Sequence, residues 1–440
     1  MITAITVREY ARLTTESVAA PSLDRAQVSA TAFDWLCNLS AKFSRSGAAL
    51  VQVENRRWLK LDNYVGVLET PCGTRLEILP KHVEEGDCVA RSRSLLQRMI
   101  ANAIDLPVRE ADETSLQVFN APLSEWVMGR FLLALDHLIK RGVRSDYLRV
   151  EAAERYLRGQ LDMVRHLRQP PGRQHVFQIR HDVFVPDRPE NRLLKCALEQ
   201  VCRLTQTPAH WRLAQELRIL LNEVPASNDI ASDFKAWHLD RLMAHYQPVR
   251  PWCELILYRQ MPLSLVGEWC GISLLFPMEK LFERYVAAML QRSLVADARL
   301  ITQAASKTLC EHDGGTKFRL QPDLLIEHGT KRWVLDTKWK RLDGNDKANN
   351  YSLSQTDFYQ LFAYGQKYLD GAGELALVYP KRESFAKPLP VFDFGLGLSL
   401  WVLPFDLEKG YLVHDNLTRF PFRGMSLSIN QSVGCHGASL

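Results

Sequence analysis

At 440 residues the chain exceeds what one ordinary hydrophobic core organises, so two or three domains are expected. It is 46% hydrophobic and 24% charged, the composition of a soluble globular protein, and no run reaches the ~18 uninterrupted apolar residues of a transmembrane helix. A net charge of +5 permits a nucleic-acid partner without demanding one, so any such signal has to be local.

The N-terminus "MITAITVREYARLTTESV" has Arg8, Glu9 and Arg12 among its apolar residues, unlike a signal peptide. Nine scattered cysteines without a CxxC pair argue against a structural zinc site or a disulfide framework, and predict a cytoplasmic location with no membrane partner. "TAFDWLCNLSAKF" is helical in period. "ALVQVENRRWLKLDNYVGVLETPCGTRLEILPK" then reads as successive strands, with a turn at Pro71–Cys72–Gly73. Residues 1–87 are therefore expected to form a β-rich module.

From Cys88 the period becomes helical. "LSEWVMGRFLLALDHLIKRG" places apolar residues at helical spacing, with Gly142 as its C-cap. A linker-like basic stretch follows, carrying Arg155, Arg158, Arg165, Arg168, Arg173 and Arg180 around a Pro170–Pro171–Gly172 loop. Residues 88–270 read as a mainly helical, partner-docking region with this basic loop. The arginines suit DNA phosphates or an acidic protein rim, although such density more often marks a solvated or domain-contacting face. Residues 271–440 read as a separate αβ unit.

That unit holds the chemistry. "PMEKLFERYVAAMLQRSL" is an amphipathic helix buried through Leu281, Phe282, Tyr285 and Met289, with Glu283 on its flank. "QPDLLIEHGTKRWVLDTKWK" (321–340) reads as two strands joined by a Gly-containing turn. Period two puts Val334, Asp336, Lys338 and Lys340 on one face and Trp333, Leu335, Thr337 and Trp339 on the other. Asp323 approaches Asp336 if the register brings the strands together that way. Two aspartates placed so close repel each other, and a divalent cation offsets the repulsion. Mg2+ takes one or two carboxylates, waters and a phosphate oxygen, which makes Asp323 and Asp336 metal ligands and the Thr337 carbonyl a further candidate. Lys338 is then placed to steer or deprotonate a water, or to stabilise charge on phosphorus. Glu283 is a candidate third carboxylate, and Glu327 an alternative one. The plainer reading is a surface hairpin carrying an Asp–Lys pair. Downstream, "SLSQTDFYQLFAYGQKYL" opens with Ser354 and Asp357 as a capping-box variant, and sets Gln360 and Tyr364 on one helical face as supporting or DNA-contacting residues.

Helix, strand pair with P-D and D-x-K, then helix with Q-x-x-x-Y together resemble the PD-(D/E)xK nuclease core, in its RecB-like branch. The blocks "NYVGVLETPCGTRLEILPK" (63–81), "FLLALDHLIKRGVRSDYL" (131–148), "YLRGQLD" (156–162), "RHDVFVPDRPENRLLKCAL" (180–198) and "MEKLFERYV" (278–286) extend the resemblance to about residues 60–380. Over that span the chain resembles McrC, the nuclease subunit of the McrBC modification-dependent (type IV) restriction system.

The resemblance implies an α+β multidomain protein: a β-rich N-terminal module, a helical middle region and a C-terminal restriction-endonuclease-like core. It implies that Asp323 and Asp336 ligate Mg2+ (Mn2+ being the alternative), that Lys338 is the catalytic lysine, and, less directly, that Glu283 joins them. The implied partners are a hexameric AAA+ GTPase, McrB, which this subunit stimulates, and double-stranded DNA carrying modified cytosine. No GxxxxGK[ST] occurs, so this chain is expected to bind no nucleotide. The alternatives are a non-catalytic adaptor of the motor, or an autonomous RecB-like exonuclease.

Overall fold

The alternating apolar runs of the N-terminal part do become short strands. A computed structural model describes residues 4–18, 22–43, 50–55, 57–81, 88–103, 122–238, 241–258, 273–414 and 420–422. The structure is mixed α+β and divides into two compact units. The first comprises Met1–Lys81, Asp87–Gln97 and Leu106–Pro277, and the second His82–Gly86, Arg98–Asp105 and Met278–Leu440. The domain limits expected at 87 and 270 lie outside the described residues.

The first unit opens with β1 (Ala4–Arg8), β2 (Arg12–Thr14), β3 (Arg25–Gln27), α1 (Ala30–Phe43), β4 (Val51–Val53), β5 (Trp58–Leu61), β6 (Tyr64–Glu69) and β7 (Arg75–Leu79). One sheet runs β3-β2-β5-β4, and β7 pairs with both β1 and β6 in another. Val7, Leu13, Phe33, Leu36, Leu59 and Ile78 fill their shared core. Helices α2 (Val89–Ala103) and α3 (Leu123–Arg141) follow, and α3 stops at Gly142, whose φ of +100° is easy only for glycine.

The basic stretch has its loop at Pro170–Pro171–Gly172, but strands and a short helix lie on either side of it. β8 (Asp146–Glu154), β9 (Gln160–Leu161) and β10 (Phe177–Val185) form a three-stranded sheet ordered β8-β10-β9, with α4 (Met163–Leu167) beside it. The signal was present: Phe177, Ile179, Val183 and Val185 alternate at period two along β10. Part of the basic charge is also spent internally. Arg180 lies 2.6 Å from Asp162 and 3.0 Å from Glu151, and Arg165 pairs with the same Glu151.

Helices α5 (Pro189–Leu204), α6 (Pro208–Leu220), α7 (Ile230–Ala236) and α8 (Arg250–Tyr258) pack around α5. Strand β11 (Ser273–Pro277) then returns to β6, antiparallel, and completes the β1-β7-β6-β11 sheet. Gly66 allows that pairing. Its φ is +133°, and a Cβ there would sit 1.8 Å from the Leu274 carbonyl oxygen.

The second unit is α9 (Met278–Ser293), β12 (Arg299–Thr302), β13 (Lys307–His312), β14 (Gly315–Leu320), β15 (Leu324–His328), β16 (Lys331–Thr337), α10 (Gln355–Tyr368), β17 (Gly373–Pro380), β18 (Phe392–Asp393), β19 (Leu398–Asp406) and β20 (Tyr411–Leu412). Its sheet runs β12-β15-β16-β17-β19-β18, with β20 beside β19. β15 and β16 form the expected antiparallel hairpin, while β16, β17 and β19 run parallel. α10 is the crossover from β16 to β17, and its Leu361, Tyr364 and Tyr368 share a core with Val334, Leu375 and Leu377. On the other face, Phe282 of α9 packs 5.3 Å from the Trp339 ring and 6.2 Å from that of Phe405. The hairpin is therefore a central element covered on both sides, which is why Trp333 to Thr337 are all buried. Among the described residues, no helix is long and apolar enough to cross a membrane.

Candidate active site

The β15–β16 register decides the geometry. Leu324 pairs with Leu335, so one step further toward the end of β16 sets Asp323 opposite Asp336. Cross-strand neighbours share a face, and this face is the one under α10. Asp336 follows Val334 by two residues and is only 2% exposed. Burial, and after it the negative charge of Asp323, pushes its carboxyl up to about 7. Its Oδ2 is buried. The Lys338 ammonium stands 2.6 Å from that oxygen and pairs with it.

Asp323 is held differently. Its Oδ2 accepts hydrogen bonds from the Thr337 backbone N–H and from Thr337 Oγ1, each at 2.8 Å, and its Oδ1 accepts one from the Gln303 side-chain amide at 3.2 Å. Gln303 also donates from its backbone N–H to the Asp323 carbonyl at 2.8 Å. The same Gln303 amide donates to Glu283 Oε1, and Lys280 Nζ lies 2.9 Å from Glu283 Oε2. Glu283 is thus joined to Asp323 through Gln303. Glu327 ion-pairs with Arg332 at 3.1 Å, at the far end of β15.

Lys338 is surrounded by acceptors. Besides Asp336, it donates to Gln360 Oε1 at 3.3 Å and lies 3.8 Å from Asp357 Oδ1, while Lys340 Nζ is 3.2 Å from Asp357 Oδ2. Burial opposes the ammonium, but Asp336, then Asp357 and Asp323, outweigh it and raise the Lys338 pKa above that of an ordinary lysine. The Gln360 amide donates in turn to the Tyr364 hydroxyl at 2.7 Å, and that hydroxyl donates to the Gln321 carbonyl at 3.1 Å. One helical face of α10 therefore reaches the lysine through Gln360 and the segment before Asp323 through Tyr364.

The donor set suits a hard divalent cation. Two facing carboxylates, whose mutual repulsion helps push Asp336 up, and the Thr337 carbonyl match the partial protein coordination that Mg2+ accepts. Among the described residues, no group of three or more His, Cys, Asp or Glu side chains is gathered to hold a metal ion, and Glu283 meets the pair through the Gln303 amide.

The family model described as McrBC 5-methylcytosine restriction system component matches residues 59–380. The chain belongs to that family. The match coincides with the span of the blocks from which the McrC resemblance was drawn. No curated protein matches the sequence. Among solved structures, the chain is similar to one from the refined half-complex of a tetradecameric assembly of Thermococcus gammatolerans McrB AAA+ hexamers with bound McrC. That likeness has a TM-score of 0.70 at 19% identity and covers 94% of this chain and 97% of the other. A second, in the cryo-EM structure of the Thermococcus gammatolerans McrBC complex, has a TM-score of 0.51 at 22% identity over 66% of this chain and 88% of the other. At these identities the likeness is one of fold.

Two residues of this McrBC-family site escape sequence reasoning. Gln303, with a left-handed φ of +51°, belongs to no motif. Asp357 reads as half of a capping box, but Ser354 caps α10 without a side-chain hydrogen bond, and the Asp357 carboxylate faces Lys340 and Lys338.

Proposed function

We propose that this chain is the nuclease subunit of a modification-dependent restriction complex: a PD-(D/E)xK, Mg2+-dependent endodeoxyribonuclease that docks on and stimulates an AAA+ GTPase hexamer. Its substrate is double-stranded DNA carrying modified cytosine, cut after translocation by the partner. The family match and the McrB-bound fold neighbours support the assembly. The chemistry is supported above all by Asp336, buried across from Asp323 with the Lys338 ammonium 2.6 Å from its Oδ2.

Asp323, Asp336 and the Thr337 carbonyl would hold the ion. When bound, Mg2+ supplies positive charge for the phosphoryl oxygens and acidifies an attacking water. Thr337 keeps Asp323 turned toward Asp336 through its N–H and hydroxyl. Lys338, protonated and fixed by Asp336, Asp357 and Gln360, orients the attacking water and balances the charge that grows on the non-bridging oxygens. The products are a 3′-hydroxyl and a 5′-phosphate. Gln303 couples Glu283 to this centre, so Glu283 acts on the orientation of Asp323.

The test is plasmid cleavage with Mg2+, on methylated and unmethylated DNA, with and without the AAA+ partner and its nucleotide. Wild type is expected to cut only in the full mixture. Asp336→Ala and Lys338→Ala should lose at least about 100-fold in cutting rate while still stimulating hydrolysis by the partner. Variants that cut as well as wild type would remove the hairpin from the chemistry and leave an adaptor.

A further inference from the structure

The β13–β14 hairpin stands outside the main sheet, immediately before the catalytic strand, and nothing above assigns it a role. It turns at Asp313 and Gly314, both at positive φ, and its ladder pairs Lys307 with Leu320, Thr308 with Arg319, and Cys310 with Lys317. The pairing skips one rung, between Leu309 and Phe318. Phe318 there has a φ of +54°, a conformation a bulky residue seldom adopts, and is 74% exposed, while Leu309 is 42% exposed. Two apolar side chains thus face solvent where the ladder fails. Lys317 and Arg319 flank Phe318, and with Lys307 they make the root of the hairpin basic; its carboxylates, Glu311 and Asp313, sit toward the tip.

The root is anchored to the candidate active site. The Tyr368 hydroxyl reaches the carbonyls of Ala304 at 2.8 Å and Leu320 at 3.0 Å, one at each end of the hairpin. Arg319 Nε donates to the Ala305 carbonyl at 2.8 Å, and Tyr364 holds Gln321. β13 packs on α10, the helix that carries Gln360 and Asp357. An element without a place in the sheet is thereby fixed rigidly with respect to Lys338. Five residues separate Phe318 from Asp323, at most about 17 Å of extended chain, or about five base steps at 3.4 Å.

We propose that the β13–β14 hairpin is a DNA-binding element, in which Phe318 wedges against the base stack within about five steps of the cut while Lys317 and Arg319 contact the flanking phosphates. An exposed apolar wedge set between cations is the arrangement by which proteins grip and locally unstack a duplex. DNA is favoured over a protein occupant by the cations Lys317 and Arg319 on either side of Phe318, with Lys307 at the root, and by the continuity of β14 with the segment that carries Asp323. The proposal rests on the nuclease reading for the identity of the polymer.

The test uses the full chain, with and without its AAA+ partner, in Ca2+ to hold off cutting, on a methylated duplex carrying 2-aminopurine at successive positions. Phe318→Ala should weaken binding about 10-fold and abolish the rise in 2-aminopurine fluorescence within five steps of the cut. Lys317→Glu with Arg319→Glu should reduce the slope of log affinity against log salt by about 2. Phe318 and Lys317 are exposed, so Phe318→Ala and Lys317→Glu should melt like wild type, whereas Arg319→Glu also removes the bond to the Ala305 carbonyl and a lower melting temperature there reports that anchor. Lys338→Ala, measured beside them, should keep affinity and lose cutting in Mg2+; if it cuts, the nuclease reading fails independently of the hairpin. Unchanged affinity, fluorescence and salt slope in the hairpin variants overturn the proposal. So does unchanged affinity accompanied by an altered oligomeric state or lost stimulation of the partner, which assigns the hairpin to a protein contact.

Discussion

Replacing Asp336 by Asn should stabilise the metal-free protein at alkaline pH and abolish its response to Mg2+. The aspartate ionises near 4 in an unfolded chain. In the folded protein, burial and the facing Asp323 push it up to about 7. The folded state therefore holds the proton more tightly, so the associated stability is full below pH 4 and is lost as pH rises through 7. The interval spans roughly three pH units at about 1.4 kcal/mol each, so ionisation costs the fold about 4 kcal/mol. The fold tolerates this because Val334, Leu335 and Leu377 beside it are fully buried, each contributing about 1.5–3 kcal/mol. Asn has nearly the same shape and no charge to desolvate. In thermal melts with EDTA, the variant should gain on wild type between about pH 4 and 7 and level off above, with a final difference of about 10 °C in the transition of the second unit. Added Mg2+ should reverse the order, because it binds and stabilises only the paired carboxylates. Parallel melting curves of the two proteins across this pH range would refute the buried-charge account. Equal Mg2+ stabilisation of both would refute Asp336 as a ligand.

Asp357→Asn removes the charge that faces both Lys338 and Lys340, and the cleavage rate should fall about 10- to 100-fold in single-turnover assays, with DNA affinity nearly unchanged. Asp357→Glu should recover part of that loss, and an Asn variant with wild-type rate would show that Asp336 and Gln360 suffice to hold the lysine. Gly66→Ala forces a methyl group into the Leu274 carbonyl and should destabilise the first unit by about 3 kcal/mol or more, read as a lower melting temperature; a wild-type melt would mean that β6 and β11 separate at little cost.

What could be read in advance, and what could not, divides by distance along the chain. The carboxylate pair was legible because a hairpin is local. A turn at Gly329 sets the register of β15 on β16, and period two then carries Asp336, Lys338 and Lys340 to one face. The packing of that face was only half legible. Alternation separated Val334 from Trp333, but not which helix covers which, since α9 and α10 both present apolar stripes. The β8–β10 sheet was missed although its alternation is plain, because a dense set of arginines drew the reading toward a solvated linker. Two of those arginines, Arg165 and Arg180, instead pair with Glu151 and Asp162.

The residues that escaped are those whose partners come from other elements. Gln303 lies 20 residues from Glu283 and 20 from Asp323, and no helical or strand period links such positions. Asp357 was misassigned for a related reason. An acidic residue in the first turn of a helix always has a local explanation in the helix dipole and the cap, and that explanation hides a tertiary one. Here the tertiary partner prevails because Lys338 and Lys340, just beyond the end of β16, both face the buried Asp357 carboxylate at the start of α10. A first-turn acid in a helix that follows a D-x-K strand is therefore better tested first against the lysine than against its own N-cap.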